Sequence, residues 1–209
     1  MAGTKRINGL YAITPDCHSS SPFPALLEAV KAALAGGARV LQYRDKQQPK
    51  PEAIPALLQA CRAAGATLII KDDVQLATLA DGVHLGCDDM DIGGARKVLG
   101  PDKIIGVSCY NDLDRAMQAE AAGADYVAFG SMFASSTKPH APRASLDLIR
   151  DAKKRLRIPV VAIGGITLQN AASLVEAGVD AIAVINAVFS ASDITQTARN
   201  FSDLFTSKT

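Results

Sequence analysis

The sequence predicts an α/β protein that forms one closed (β/α)8 TIM barrel, a single domain over residues 1–209. Three observations favour this fold: a glycine phrase that recurs along the chain, apolar runs that alternate with helical segments, and polar residues that follow these runs. With 209 residues, 48% of them hydrophobic, the chain can bury a sizeable core without a second domain. An open, doubly wound sheet is the alternative that the same alternation allows.

The glycine phrase marks the predicted ends of helices. Each copy closes an alanine-rich helical segment shortly before an apolar run, and the glycines are Gly37, Gly65, Gly123 and Gly178. Their separations of 28, 58 and 55 residues approximate one, two and two copies of a single unit, which indicates a serial βα repeat. We expect glycine at these places because it ends a helix in the left-handed conformation that other residues resist.

The apolar runs predict eight strands, and amphipathic helical segments lie between them. The strands are expected at residues 9–14, 40–45, 68–72, 82–86, 104–108, 126–130, 159–164 and 181–185. Catalytic groups of such barrels collect at the carboxyl ends of the strands. We therefore expect the polar residues that follow the strands to share one mouth, and the strand starts to carry no comparable polar cluster.

Two consecutive predicted strands end in carboxylates. The run 68–70 is followed by Asp72, and the run 83–85 is followed by Asp89. If the strands are parallel neighbours, their ends lie about 5 Å apart, so the two carboxylates could hold one hard divalent cation together. His84 lies inside the second strand, where a packed or hydrogen-bonded role is favoured over that of a base.

Cations and hydroxyl groups follow other predicted strands. Arg44, Lys46 and Lys138 are expected at the same mouth, where they and a divalent metal could hold a diphosphate. Separate surface ion pairs are the alternative for each of them. The hydroxyl-rich loop after the sixth strand, with Ser135, Ser136 and Thr137 before Lys138, is long enough to close over a ligand; a plain polar connection is the alternative here.

A second anion site is predicted after the last two strands. Gly164 and Gly165 follow strand seven, and Ile185 and Asn186 follow strand eight. Barrels of this class often bind a phosphate monoester there, because glycines let backbone N–H groups approach the oxygens and a helix N-terminus adds its dipole. The sequence therefore predicts two phosphate sites in one mouth.

The overall charge argues against large polyanionic partners. Twenty-two basic and 21 acidic residues give a net charge of +1, without any block of like charge, so neither a nucleic-acid nor a membrane surface is expected. Without a signal-peptide core, or an apolar stretch near the roughly 18 residues that span a bilayer, we expect a cytoplasmic protein. The outer helices of barrels can be solvated or paired, so a monomer and a homo-oligomer both stay open.

These motifs, in this order and spacing, resemble the thiamine-phosphate synthase family. The resemblance covers about residues 10 to 190, and several independent motifs in register make it specific. The matching motifs are Gln42 to Lys46, Asp72-Asp73, Gly82 to Gly86 with Asp88-Asp89, Gly106 to Ser108, Ala122 to Tyr126, Thr137-Lys138 and Ala162 to Ile166.

The resemblance implies a transferase that joins hydroxymethylpyrimidine diphosphate to thiazole phosphate, with or without an extra carboxylate, and releases thiamine monophosphate and diphosphate. It implies Asp72 and Asp89 as Mg²⁺ ligands. The positions implied for the pyrimidine diphosphate are Gln42, Tyr43, Arg44, Asp45, Lys46, Ser108 and Lys138; those for the thiazole phosphate are Ser135, Ser136, Thr137, Gly165, Ile185 and Asn186. The expected catalytic residues are Arg44, Lys46, Lys138 and Ser108, with the cations stabilising charge on the departing diphosphate.

Four positions depart from the family pattern. Lys71 stands where asparagine is usual, Cys87 replaces glutamine, Tyr110 replaces histidine and Asn186 replaces serine. Lys71 adds a cation beside the proposed metal site and is a further candidate for contact with the diphosphate. Two other functions stay open: a thiazole tautomerase-like paralogue on the same barrel, and a non-catalytic binding protein of the thiamine pathway.

Overall fold

The computed structural model describes residues 7–16, 23–45, 50–86, 89–134 and 143–206. Within these residues, eight parallel strands are hydrogen-bonded in chain order, and the last strand pairs with the first. The sheet is therefore a closed barrel surrounded by helices. The prediction of a (β/α)8 TIM barrel is confirmed, and the closure excludes the open, doubly wound alternative.

Each predicted strand is present, with ends that differ from the prediction by one or two residues. The strands are β1 (Gly9–Ile13), β2 (Val40–Tyr43), β3 (Thr67–Lys71), β4 (Gly82–Leu85), β5 (Ile104–Tyr110), β6 (Tyr126–Phe129), β7 (Val160–Ile163) and β8 (Ala181–Val184). The third and fourth strands are parallel neighbours, as the argument about Asp72 and Asp89 requires.

Helices follow the strands, and short ones interrupt some of the connections. They are α1 (Phe23–Ala35), α2 (Ile54–Ala63), α3 (Val74–Ala77), α4 (Ile92–Leu99), α5 (Leu113–Ala121), α6 (Leu146–Arg155), α7 (Leu168–Ala177), α8 (Asn186–Phe189) and α9 (Ile194–Thr206), with a 3₁₀ turn at Pro51–Ala53 before α2. Across the described ranges, no helix has both the length and the apolar character that crossing a membrane requires.

Side chains of the strands alternate between two buried layers. The inner layer fills the barrel and includes Tyr11, Ile69 and Tyr126. The outer layer packs against the helices and includes Leu41 and Leu68. Because successive strand residues point to opposite faces, each strand sends only every second residue towards the cavity inside the barrel.

The glycine phrase has the predicted backbone conformation. Gly37, Gly65, Gly123 and Gly178 have φ angles of +101°, +65°, +93° and +103°. Gly178, for example, ends α7 in the left-handed region, and its N–H is bonded to carbonyl oxygens of the last turn. The recurring glycines therefore lie at the ends of helices, where the chain turns back towards the next strand.

The strand starts carry separate aspartates, which the prediction of no comparable polar cluster at that end left unmentioned. An aspartate directly precedes β4, β6 and β8, and one carboxylate oxygen of each accepts a backbone N–H near the start of the preceding strand. The pairs are Asp81 with Leu68 (2.9 Å), Asp125 with Ile105 (2.7 Å) and Asp180 with Val160 (2.7 Å). These charge-assisted bonds tie neighbouring strands together at the end of the barrel opposite the mouth.

Cations complete two of these aspartate sites. Arg96 Nη2 donates to Asp125 Oδ2 at 2.6 Å, and Lys153 Nζ donates to Asp180 Oδ2 at 2.6 Å. The ion pairs are partly exposed, so most of the stabilisation comes from the backbone N–H groups that the carboxylates accept. This end of the barrel therefore serves stability.

We expect Asp125→Ala to lower the free energy of unfolding by about 2 kcal/mol, because the Ile105 N–H loses its charged acceptor. Urea unfolding followed by circular dichroism measures the change. Asp151→Ala is the matched control, since Asp151 makes an exposed ion pair with Lys154 and should change stability by less than about 0.5 kcal/mol. Equal losses in the two variants would contradict this account.

Candidate active site

A cavity of about 680 Å³ opens at the carboxyl ends of the strands. Inward-facing side chains from the strands form its floor, and the segments after β6, β7 and β8 form part of its wall. A space of this size accommodates a small organic ligand, and barrel enzymes place their active sites at this end.

Arg44 enters the cavity directly after β2. Its Nη1 donates to Asp16 Oδ1 at 3.0 Å, and both side chains are largely buried. The hydroxyl group of Thr14 accepts from the Arg44 N–H at 2.9 Å and lies 3.0 Å from the Arg44 carbonyl oxygen, to which it donates. The guanidinium group is therefore held in place before any ligand arrives.

Lys71, Asp72 and Asp89 meet at the rim of the cavity. The Lys71 ammonium group contacts Asp72 Oδ1 and lies 3.5 Å from Asp89 Oδ2, which also accepts the Gly86 N–H. The two carboxylates are thus on the same rim and converge on one cation, which in this structure is the lysine. In the described part of the chain, no three His, Cys, Asp or Glu side chains cluster as a metal site.

Backbone groups dominate the opposite side of the cavity. Gly164 and Gly165 have φ angles of +103° and +63°, and a Cβ on Gly165 would lie 2.2 Å from the carbonyl oxygen of Ala134. Asn170 donates to the Gly165 carbonyl at 3.1 Å and accepts the Thr167 N–H at 2.9 Å. The tight turn before α7 therefore requires glycine and is held by a side chain of that helix.

The floor of the cavity is polar but uncharged. His84 is buried between Tyr126 and Ser108, with ring nitrogens 2.8 Å and 2.9 Å from their hydroxyl oxygens. Burial, together with the positive charge of Lys71, lowers the pKa of His84 to about 3. His84 is therefore a neutral hydrogen-bonded residue and a weak base, in agreement with the sequence prediction.

Most of the predicted site residues that the structure describes surround this one cavity. Those that line it are Gln42, Arg44, Lys71, Ser108, Gly165, Ile185 and Asn186. Tyr43 does not: it points to the outer layer, where it is 1% exposed and its hydroxyl accepts the Lys50 N–H. Asp45 is half-buried and is not among the lining residues. Lys46, Ser135, Ser136, Thr137 and Lys138 lie outside the described residues.

Several residues of the cavity were not foreseen from the sequence. Tyr11 lines the floor and its hydroxyl group is hydrogen-bonded to that of the buried Tyr126, and Thr14 and Asp16 hold Arg44. Both tyrosines occur in short strands whose two faces are buried, so the apolar pattern gives no sign of which residues face inward. The position of Asp16, just after the first strand, was the one available signal for its place at the mouth.

Comparisons with known proteins agree with this geometry. A family model described as thiamine monophosphate synthase matches residues 10–188. A thiamine-phosphate synthase of Methylobacillus flagellatus is 57% identical over 204 residues, which are 95% of this chain and 96% of that protein. A thiamine-phosphate synthase of Azoarcus sp. strain BH72 is 52% identical over 206 residues, covering 96% and 98% of the two chains.

A solved structure gives the same result for the fold. The thiamine phosphate pyrophosphorylase from Pyrococcus furiosus superposes with a TM-score of 0.85 at 36% sequence identity, over 97% of this chain and 98% of that chain. The sequence and structure matches extend along nearly the whole chain, including both sides of the cavity. The chain therefore belongs to the thiamine-phosphate synthase family, a family of transferases in thiamine biosynthesis.

Proposed function

We propose that the protein joins hydroxymethylpyrimidine diphosphate to thiazole phosphate and releases thiamine monophosphate and diphosphate. The observation that carries the proposal is one cavity with two unlike sides. Arg44 and Lys71 are on the side of β2 and β3, whereas the glycine turn and Asn186 are on the side of β7 and β8. One side suits a diphosphate and the other a phosphate monoester, so two substrates can meet between them.

The charged side is suited to the leaving group. As the bond to the pyrimidine methylene carbon breaks, negative charge grows on the diphosphate oxygens. Arg44 and Lys71 can stabilise this charge, and Arg44 needs no rearrangement because Asp16 and Thr14 already hold it. The electron-rich aminopyrimidine can carry the developing cation, which favours a dissociative displacement. The chain then supplies positioning and electrostatics, and no protein nucleophile is needed.

Asp72 and Asp89 fit a divalent metal by their chemistry. Both offer hard oxygen donors, and both already converge on a cation, the Lys71 ammonium group. Mg²⁺ typically takes one or two carboxylates and completes its shell with water and phosphate oxygens. Mg²⁺ held by Asp72 and Asp89 would supply further positive charge to the diphosphate. Lys71 would then have to share the carboxylates with the metal or turn towards the substrate.

The glycine side is suited to the second phosphate. Gly164 and Gly165 carry no side chain that would keep phosphate oxygens from the backbone, and the turn leads into the N-terminus of α7. Asn186 lines the same wall, so its side-chain amide can replace the hydroxyl group usual at this position. The thiazole nitrogen, held from this side, would face the methylene carbon as the nucleophile.

The direct test is incubation with both substrates and Mg²⁺, followed by phosphorus NMR and chromatography. We expect thiamine monophosphate and diphosphate to appear in equal amounts. Isomerisation of the thiazole without diphosphate release would identify a tautomerase, and tight binding of both substrates without turnover would identify a binding protein. Full activity in excess chelator would remove the metal from the proposal.

We expect Asp89→Asn to lower kcat/KM by about 10²-fold to 10³-fold, because the amide keeps an acceptor for the Gly86 N–H but loses the charge. Steady-state kinetics at saturating Mg²⁺ measures the change. Asp91→Asn is the matched control, since Asp91 caps α4 outside the cavity and asparagine caps helices equally well. Near-normal rates for Asp89→Asn would exclude this carboxylate from the mechanism.

Lys71→Met should tighten the binding of Mn²⁺, used as a spectroscopic substitute for Mg²⁺, by about tenfold. The reason is that the ammonium group no longer competes for Asp72 and Asp89. Electron paramagnetic resonance of free Mn²⁺ measures the affinity without any substrate. Lys97→Met, at an exposed position of α4, should leave the affinity unchanged. Equal affinities of Lys71→Met and the wild type would show that lysine and metal do not compete.

A further inference from the structure

The floor of the cavity contains a continuous series of hydrogen bonds from β2 to β5. Gln42 Nε2 donates to the Tyr11 hydroxyl at 2.7 Å, and the hydroxyl oxygens of Tyr11 and Tyr126 lie 2.8 Å apart. His84 Nδ1 lies 2.8 Å from the Tyr126 hydroxyl, and His84 Nε2 lies 2.9 Å from Ser108 Oγ. We call this series, Gln42–Tyr11–Tyr126–His84–Ser108, the floor network.

Both ends of the floor network line the cavity, whereas the two tyrosines in it are buried among apolar residues. Tyr11 and Tyr126 are 1% and 0% exposed and lie among apolar residues of the inner layer. An unpaired hydroxyl group there would be costly, so each must use its neighbours. The ring of Tyr126 fits only because position 106 is glycine: a Cβ on Gly106 would lie 2.0 Å from Tyr126 Cζ.

The hydrogen bonds of the floor network are all donated in the same direction, from Gln42 towards Ser108. The Tyr11 oxygen accepts from Gln42, so the Tyr11 hydrogen is available to Tyr126. Tyr126 then donates to His84 Nδ1, and the N–H at Nε2 donates to Ser108. In the reverse order Tyr11 would accept twice, and its own hydrogen would have no acceptor among the described residues. The first direction leaves the unused hydrogen on Ser108, which lines the cavity, and not on the buried Tyr11, and is therefore favoured.

We propose that His84 is a positioning residue: its Nε2–H tautomer makes Ser108 a hydrogen-bond donor towards the cavity and leaves the Gln42 carbonyl oxygen as an acceptor. The floor then offers one donor on the β5 side and one acceptor on the β2 side. A planar heterocycle with a ring nitrogen and an amino group is complementary to this pair. Only the identity of that heterocycle, the aminopyrimidine, rests on the proposed function.

The protonation states of the buried groups agree with this role. Burial lowers the pKa of His84 to about 3, and burial raises the pKa values of Tyr11 and Tyr126 above their ordinary range. All three side chains are therefore neutral near neutral pH. The floor network therefore fixes which atoms donate and which accept at its two ends, and none of these three side chains carries a charge.

The tautomer of His84 can be observed directly. Long-range proton–nitrogen correlation spectra of the ¹⁵N-labelled full chain distinguish the two imidazole nitrogens, and His84→Gln identifies the His84 signals among the three histidines. We expect Nε2 to carry the proton and Nδ1 to be bare between about pH 6 and 8. A proton on Nδ1, or a charged ring in that range, would overturn the proposed direction.

Kinetics separates positioning from a merely structural role. We expect His84→Met to raise KM for the pyrimidine diphosphate about tenfold, with kcat and KM for the thiazole phosphate changed by less than about threefold, because only the floor loses a directed donor. His84→Gln should recover most of the loss, since its amide N–H can replace Nε2–H towards Ser108. Equal changes in both KM values, or none, would contradict the proposal.

Leu57→Ala is the control for destabilisation, because Leu57 is fully buried in the outer layer away from the floor. It should lower Tm without changing the ratio of the two KM values. If the wild-type protein releases no diphosphate, the proposed function fails, but the NMR experiment still decides the direction of the floor network. Calorimetric titration with the pyrimidine diphosphate would then replace KM as the measure of affinity for His84→Met and His84→Gln.

Discussion

The backbone hydrogen bonds between β8 and β1 are the constraint on which the rest of the structure depends. They pair residues 9–12 with residues 181–184 and close eight parallel strands into a ring. A closed parallel ring leaves no free strand edge and places every carboxyl end on one rim. Residues far apart in sequence, such as Arg44 and Asn186, thereby face one cavity.

The sequence was sufficient to predict the fold because its signals are local and repeated. Apolar runs located the strands to within one or two residues, and left-handed glycines such as Gly178 marked the ends of helices. The expectation that Asp72 and Asp89 lie close together needed only that β3 and β4 be parallel neighbours, which they are. What the sequence could not show is the direction of each side chain, since buried strands are apolar on both faces. Tyr43 was therefore assigned to the site, whereas Tyr11 was overlooked.

Charge is distributed unevenly over the two ends and the two sides of the barrel. At the strand starts, Asp81, Asp125 and Asp180 are committed to backbone N–H groups and serve stability. At the mouth, Asp72 and Asp89 instead contact a lysine that also lines the cavity. Carboxylates at both ends look alike in the sequence. Their surroundings, the backbone of a neighbouring strand at one end and the rim of a cavity at the other, distinguish the two sets of aspartates.

The space left by the missing side chain of Gly106 has an evolutionary consequence. Since the ring of Tyr126 occupies that space, positions 106 and 126 form one unit of fixed total volume inside the barrel. In an alignment of relatives, any alanine or serine at position 106 should be accompanied by a smaller residue at position 126. A smaller residue at position 126 would also remove the hydroxyl group that links Tyr11 to His84. Relatives with such paired exchanges should therefore bind their ligand with different hydrogen-bonding groups.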